Sequence, residues 1–510
     1  MSTYDAIIIG GGINGLVAGA TLSKRGKSVC ILEQADTPGG MATLSKENGP
    51  PLAHAIHNLS PLVLRELGVE TEVAKLLGNP VPTISLCDDG RHIVFDKDTV
   101  TWTDGTPHPD AEARRALVTR LTQYGGLLRQ LAEASPPGGA QGLLTSAGLK
   151  QLLRLGKLGI GLKRLGKPEM RRFLQILLSN AFDLILDDMP DGPVAGMLAA
   201  DAVRGAAAGP RSPGTVFNLI YRMGHGGAVR LPAGGPDAII TCLVQAAQTQ
   251  GCTLKTGQRV NRILMDRDTI SGVETQDGQT FTAPTVLSSA APQHIARMLG
   301  AANLDIEAAR RIRNIRARGT VAKVNLQLDS DAALPGLENC PGAARLLYAP
   351  SADYVETAFN PAKYGQMSKT PVIEAVQTKS AKGTSWLSAL VQYAPSDLEG
   401  GWTDARRAEL GQITRATLSR ALPGLEDRVT GQQVISPDQI QSATGAPGGH
   451  WHHAEMSLDQ VLTIRPANGL SRYAMGPAGL YLCGASAHPG GDIMGLAGHN
   501  AALSALEDMS

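Results

Sequence analysis

The sequence predicts an α/β protein that begins with a dinucleotide-binding βαβ unit and is long enough for one or two further domains. Three observations carry that expectation. The run Tyr4 to Ile9 passes straight into Gly10-Gly11-Gly12-Ile13-Asn14-Gly15. Glu33 stands eighteen residues past Gly15, after a second apolar run. The chain closes with a short strand, Leu480 to Cys483, a glycine-rich turn and a last helix. A bare G-x-G-x-x-G is weak evidence, yet strand, turn, helix and acid all stand where the motif needs them.

Each part of the first unit has a physical reason. Ile7, Ile8 and Ile9 are β-branched and continuous, as expected for a parallel strand covered on both faces. A helix over about 14–25 carries Leu16, Val17, Ala20 and Leu22 on its inward side, and a strand over 28–32 ends at Glu33. Gly10 permits the tight turn, Gly12 lets the backbone approach a pyrophosphate, and Gly15 allows close helix-to-sheet packing. The N–H groups at the helix start and the helix dipole favour a diphosphate without any cationic side chain. Glu33 is placed to accept from a ribose hydroxyl and to repel a 2′-phosphate. The bland alternative is a glycine-rich turn that binds nothing.

Composition narrows the function classes. The 510 residues are 43% apolar with a formal net charge of +1, which argues against a nucleic-acid protein. Six Phe and four Trp offer no base-stacking platform. The six cysteines, Cys30, Cys87, Cys242, Cys252, Cys340 and Cys483, include no C-x-x-C pair. They fit reduced residues of a cytoplasmic protein better than a redox dithiol, a zinc site or a disulfide framework. The first strand starts near residue 4, leaving no room for a signal segment, and no uninterrupted apolar run is long enough to span a bilayer.

Two later segments identify the nucleotide. Val229 to Gly235 leads into a helix over about 237–250, then Thr253 to Ile263, a strand over 270–276, the turn Asp277-Gly278, its hairpin partner Thr280 to Thr282, and a buried strand over 285–290. The C-terminal strand closes on Gly484, followed by Ala485 to Gly495 and a helix through Ala501 and Leu506. Small residues at that helix start permit close approach of a flat ring, and its free N–H groups suit negative charge on a reduced flavin. A nicotinamide site has no need of such a returning segment, and no second complete G-x-G-x-x-G with a downstream acid is present. The expected cofactor is therefore FAD, in a domain assembled from residues 1–75, 228–300 and 472–510. Residues 76–227 and 301–471 are left for a substrate domain.

The residues now match a known family. Gly39-Gly40 after Glu33, Leu231-Pro232-Ala233-Gly234-Gly235, and Gly484 through Gly491 resemble the FAD-dependent phytoene desaturase and amine oxidase superfamily. Within it the chain most resembles the branch named pyridine nucleotide-disulfide oxidoreductase domain-containing protein 2. That likeness rests on Gly209 to Thr215, Ala322 to Leu326, Val391 to Pro395, and Met456 to Gln460 before Arg465-Pro466. The branch name misleads on chemistry, since the chain has no dithiol. The resemblance implies a Rossmann-like FAD domain of the glutathione reductase and amine oxidase type, joined to a mixed-sheet and helical substrate domain. It implies that Gly10, Gly12, Gly15 and Glu33 hold the ADP half, with Gly39 and Gly40 in the same site. It puts Val260 at the adenine by its backbone, Gly484 at the diphosphate, and Ile493 and Met494 near the isoalloxazine. The chain departs from the family at Ala233, where desaturases commonly have arginine, and at Asp492, where the branch often has glycine. A Pro-Ser and Asp pattern common near Thr378 to Gly383 is missing too. These departures imply a diverged substrate side.

Catalytic candidates follow from flavin chemistry, in which hydride passes from substrate carbon to N5 and a protein base is optional. Histidine titrates nearest working pH. His57, with His54 beside it, lies on a stretch that the family passes near the flavin. His488 precedes the C-terminal Pro-Gly-Gly, and His450, His452 and His453 cluster together. The candidates in order are His57, His488, then His452 or His453, with Asp492 added if it faces the ring. Each histidine also has a structural explanation as a hydrogen-bonded core or surface residue. No metal site is expected, because the cluster lacks carboxylate or cysteine spacing. Ser457 and Asp459 are expected to organise a turn or helix start.

Residues 144–172 carry eight basic side chains against Glu169, interspersed with leucines. That pattern fits either a helix at an anionic membrane surface or a cap helix with a solvated basic face. The functional expectation is an FAD-dependent oxidase, dehydrogenase or desaturase acting on a C–C or C–N bond of a small lipophilic or amine-bearing substrate. O2 or a quinone is its expected electron acceptor. The alternatives are a non-redox flavin-dependent polyene isomerase and a flavin-containing protein-binding scaffold.

Overall fold

The computed structural model describes residues 2–45, 49–136, 159–161, 163–380, 382–470 and 472–509. Most of the basic segment, 144–158 and 162, lies outside the described residues.

The isoleucine run forms the strand Ala6–Ile9, buried throughout, at the centre of a five-stranded parallel sheet. Its order is Leu480–Leu482, Thr285–Ser288, Ala6–Ile9, Val29–Leu32 and Thr253–Lys255. The helix Ile13–Ser23 follows the glycine turn and is shorter than the sequence pattern suggests, ending in a turn over Lys24 to Gly26. It is also buried on nearly every side, not on one inward stripe. The reason is packing: the helix lies between the sheet and the helices Pro236–Thr249 and Leu496–Asp508. Two glycines permit these approaches. A Cβ on Gly15 would stand 2.0 Å from the Gly10 carbonyl oxygen, and one on Gly498 would stand 2.0 Å from that of Asn14. The hairpin expected around Asp277-Gly278 pairs Thr269–Thr275 with Thr280–Thr282 in a separate four-stranded sheet.

The larger sheet has eight strands in the order Val429–Ile435, Val321–Leu328, Ser385–Gln392, Ile373–Lys379, Arg345–Tyr348, Thr83–Ser85, Ile93–Asp96 and Thr99–Trp102. It is mixed, since Arg345–Tyr348 runs parallel to Thr83–Ser85 while the other pairs are antiparallel. Strand alternation gives its two faces different chemistry. Ala322, Val324, Leu326, Leu387, Ala389 and Val391 form an apolar face with Leu410 and Leu418 of the helix Asp404–Ala421 packed against it. The register Lys323↔Leu390↔Glu374↔Leu347 gathers Lys323, Asn325, Ser388, Glu374 and Arg345 on the other face. All five are buried. A polar sheet face kept from water must be matched by hydrogen bonds, and Leu390 on the same face borders the cavity described next.

Candidate functional site

A cavity of about 1310 Å³ runs from the C-terminal ends of the parallel strands to the polar face of the eight-stranded sheet. Glycines and backbone line its first part. Gly10, Gly12, Gly39, Gly40, Gly484 and the strand start Val260 all border it, and Gly12 makes a β-bridge with Gly39. Glu33 borders it as well, 5% exposed, its Oε2 accepting from the Gly11 N–H at 2.6 Å and its Oε1 from the Ala35 N–H at 2.8 Å. These two donors fix the carboxylate at the end of the strand Val29–Leu32, where the sequence places the ribose contact. Gly15 does not border the cavity and acts beneath it, where the helix crosses Gly10.

The far part is lined by ionisable side chains, among them His54, His57, Arg204, His452 and Asp492, together with Trp451, Leu390 and Ile493. Glu374 is the hub behind them. Its carboxylate accepts from Arg204 Nε and Nη2 at 2.9 and 3.1 Å, from Arg345 Nε at 3.0 Å and from His54 Nε2 at 3.1 Å. Burial opposes its charge, yet the Arg204 and Arg345 guanidiniums and the His54 ring donor hold its carboxyl well below the usual range. Arg345 also donates to Asp201 at 2.7 Å, and Arg204 lies over the Trp451 ring at 4.9 Å.

The histidines of this wall are neutral near pH 7. Burial, with Lys323 nearby, pushes His54 down to about 3, and burial with Arg204 and Arg222 pushes His57 down to about 4. Their tautomers follow from their partners. Lys323 Nζ, buried and donating to the Leu52 carbonyl at 3.1 Å, faces His54 Nδ1 at 3.3 Å, so His54 carries its proton on Nε2 toward Glu374. Arg222 Nη1 donates to His57 Nδ1 at 3.1 Å, which leaves the His57 proton on Nε2, 3.7 Å from Glu374. Burial likewise lowers Lys323 well below its ordinary value.

Asp492 and His452 meet at 3.4 Å. Burial works against the Asp492 charge, but His452 and Arg204 outweigh it, and Asn58 donates to its second oxygen at 3.1 Å. A second cavity of about 50 Å³ adjoins the first across Arg204, His452 and Asp492, bounded on its other side by Asn58, Asn218, Tyr221, Arg222 and His450.

The structure thus brings His57, His452, Asp492 and Ile493 to one place, with His54 and His453 also on the cavity. It does not bring His488 or Met494 there. The two ring nitrogens of His488 face the carbonyl of Leu462 at 2.9 Å and those of Leu131 and Ala134 at 3.0 Å. Met494 is buried with its sulfur accepting from the Tyr221 hydroxyl at 3.6 Å. Ser457 donates to Asp459 at 2.8 Å and Arg316 clasps that carboxylate, organising the turn Leu458–Gln460. Among the described residues no group of three His, Cys, Asp or Glu side chains is arranged to hold a metal ion. Arg204, Arg222, Lys323, Arg345 and Glu374 were not foreseen from sequence. The signal they leave is a lone charge inside an apolar run, as Asp201 is in the helix Pro193–Ala202.

Comparison with known proteins agrees with this geometry. The sequence profile described as flavin containing amine oxidoreductase matches residues 13–502. Pyridine nucleotide-disulfide oxidoreductase domain-containing protein 2 of Rattus norvegicus is 27% identical, the match covering 99% of this chain and 94% of that protein. The neurosporene-forming phytoene desaturase of Rhodobacter capsulatus is 22% identical over 97% of this chain and 92% of its own. A putrescine oxidase triple mutant redesigned in cofactor binding superposes with a TM-score of 0.61 at 14% identity, covering 99% of this chain and 98% of that one. That last likeness is one of fold.

Proposed function

The chain belongs to the flavin containing amine oxidoreductase family, and we propose that it oxidises a C–C or C–N single bond of a small, functionalised organic molecule. It is an FAD-dependent oxidoreductase, and its own residues fit that cofactor. The cavity has a glycine and backbone wall at the helix start, a buried acid fixed for the ribose, and room beyond for a ring. Gly10, Gly12, Gly39, Gly40, Glu33, Val260 and Gly484 would hold the nucleotide, with Gly15 supporting the turn and Ile493 beside the ring. Bound FAD supplies the hydride acceptor.

The observation that carries the proposal is the charged wall at the far end. Its fixed dipoles orient a polar substrate and hold the reacting C–H bond in place. His452 is the proposed proton acceptor. If its Nε2–H donates to Asp492, the basic atom left is Nδ1 and the carboxylate steadies the imidazolium that forms. His57, its Nδ1 occupied by Arg222, serves in binding. His488 and Met494 act by holding segments together. The proposed FAD domain comprises 1–75, 228–300 and 472–510, and the substrate domain the remainder.

O2 or a quinone is the proposed electron acceptor, and the cytoplasm the proposed compartment. Exposed Lys167, Arg171 and Arg172 beside Leu174 and Leu178, 52% and 68% exposed, support peripheral contact with an anionic bilayer. Among the described residues no helix is long and apolar enough to cross a membrane. The test is anaerobic mixing of the FAD-loaded protein with amines, amino acids and polyenes. Bleaching of the visible flavin band by a polar compound supports the proposal. Bleaching by a polyene hydrocarbon alone refutes the polar substrate class.

A further inference from the structure

We propose that the substrate carries an anionic oxygen group, in its simplest form a carboxylate, seated against His57 and Arg204 beside Trp451. The proposal rests on the flavin-site assignment above and adds the chemistry of the ligand. Two independent features of the wall lead to it, one of hydrogen bonding and one of charge.

The far wall has more spare donors than spare acceptors. His57 Nε2, buried on the main cavity, bears the proton and makes no hydrogen bond, its nearest acceptor being Glu374 Oε1 at 3.7 Å. Trp451 borders the same cavity, and its buried Nε1–H is unpartnered. In the adjoining cavity Arg222 Nε makes no hydrogen bond, its nearest carboxylate being Asp201 at 3.5 Å. Nor does His450 Nε2, which bears the proton because His450 Nδ1 accepts from the His452 N–H at 3.1 Å. Against these four donors stand three spare amide oxygens on the two cavities among the described residues: Asn58 Oδ1 on the adjoining cavity, and Gln258 Oε1 and Gln293 Oε1 on the main one, Gln258 lying at the nucleotide end where its N–H donates to the Glu33 carbonyl. An unmet buried donor costs about 1–3 kcal/mol. A hydrocarbon ligand leaves that cost in place, and an ammonium brings only more donors. A carboxylate brings two oxygens and accepts only.

Charge gives the same sign. Around the far end lie three buried guanidiniums, Arg222, Arg345 and Arg465, and the half-buried Arg204, against three carboxylates, Asp201, Glu374 and Asp492. Among the described residues Arg465 has no carboxylate partner and donates only to the carbonyls of His452, Ala454, Glu455, Gln460 and Ala485. The cluster is short of one negative charge even if Lys323 is neutral. Asp492, a carboxylate on the main cavity, is already held by Arg204, His452 and Asn58.

The test uses the full chain loaded with FAD, titrated with octanoate and separately with octylamine, followed by calorimetry and by perturbation of the visible flavin band. Octanoate is expected to bind saturably and at least about tenfold more tightly than octylamine, the worth of one hydrogen bond to a charged group. His57→Leu should weaken octanoate by about tenfold or more, whereas His57→Gln, which keeps an N–H donor, should preserve binding, both with flavin content unchanged. Equal or tighter binding of octylamine overturns the proposal, as does non-saturating octanoate heat. The wild-type comparison decides even if a variant fails to fold. Failure of the chain to acquire a flavin band would sink the flavin assignment and the proposal with it, a failure told apart from the others because it shows before any ligand is added.

Discussion

Replacing Glu374 by Gln is the sharpest perturbation of the charged wall. The change keeps shape and removes one charge from a position 6% exposed in its side chain, where two guanidiniums converge. Arg204 reaches Glu374 at 2.9 Å and Arg345 at 2.8 Å. At an effective dielectric of roughly 20, each attraction is worth about 4 kcal/mol or more, and the desolvation cost of the carboxylate, several kcal/mol, is relieved on neutralisation. Breaking such buried pairs costs about 3–5 kcal/mol net. Because Arg345 keeps Asp201 and Arg204 keeps Asp492, the lower end applies, about 3 kcal/mol. Urea unfolding followed by tryptophan fluorescence, with FAD present at equal excess, measures the difference. A loss within about 0.5 kcal/mol, the size of an ordinary surface substitution, would mean that the guanidiniums reach water and that the wall is not the desolvated cluster described.

Three further outcomes are expected. His54 and His57 have folded values depressed below 6.5 by burial, to about 3 and about 4. The unfolded chain therefore takes up these protons first, so stability is full above about 6.5 and falls as pH drops toward 4; urea midpoints at stepped pH read this, and His57→Gln should flatten part of the slope. His452→Gln should slow flavin reduction by about 10²–10⁴-fold and abolish its acidic pH limb while leaving FAD content unchanged, measured by stopped-flow absorbance. His488→Ala should lower stability by about 1–3 kcal/mol through its unmet carbonyls and leave the rate of flavin reduction per bound FAD unaltered, which separates a clamp from a catalyst.

Much of the nucleotide half was legible in the sequence, because its signals are local. Ile7 to Ile9, the glycine turn, Glu33 and the Asp277-Gly278 hairpin each declare themselves within a few residues, and the strands they specify form as expected. The helix Ile13–Ser23 shows the limit: its inward stripe was readable, but its burial on all sides depends on helices hundreds of residues later. The charged wall was hidden for the same reason. In Val321–Leu328, Lys323 and Asn325 alternate with apolar residues as they would in a strand with one face in water. Only the pairing that sets Lys323, Leu390 and Glu374 side by side shows that this polar face is buried. His488 misled through proximity to Gly490 and Gly491: neighbours in sequence to the flavin loop, its ring nitrogens turn to Leu131, Ala134 and Leu462.

The central claim, that the cavity from Gly10 to Asp492 is an FAD site built by this chain, meets its most direct test in equilibrium uptake of FAD. The full chain, stripped of any bound flavin and titrated with FAD, should develop a perturbed visible band that saturates at one FAD per chain. Gly15→Val, which forces side-chain atoms into the Gly10 carbonyl 2.0 Å from the first of them, should abolish that uptake. A chain that stays folded and leaves the FAD visible band unperturbed through the titration, or a Gly15→Val variant that takes up FAD as the wild type does, would contradict it.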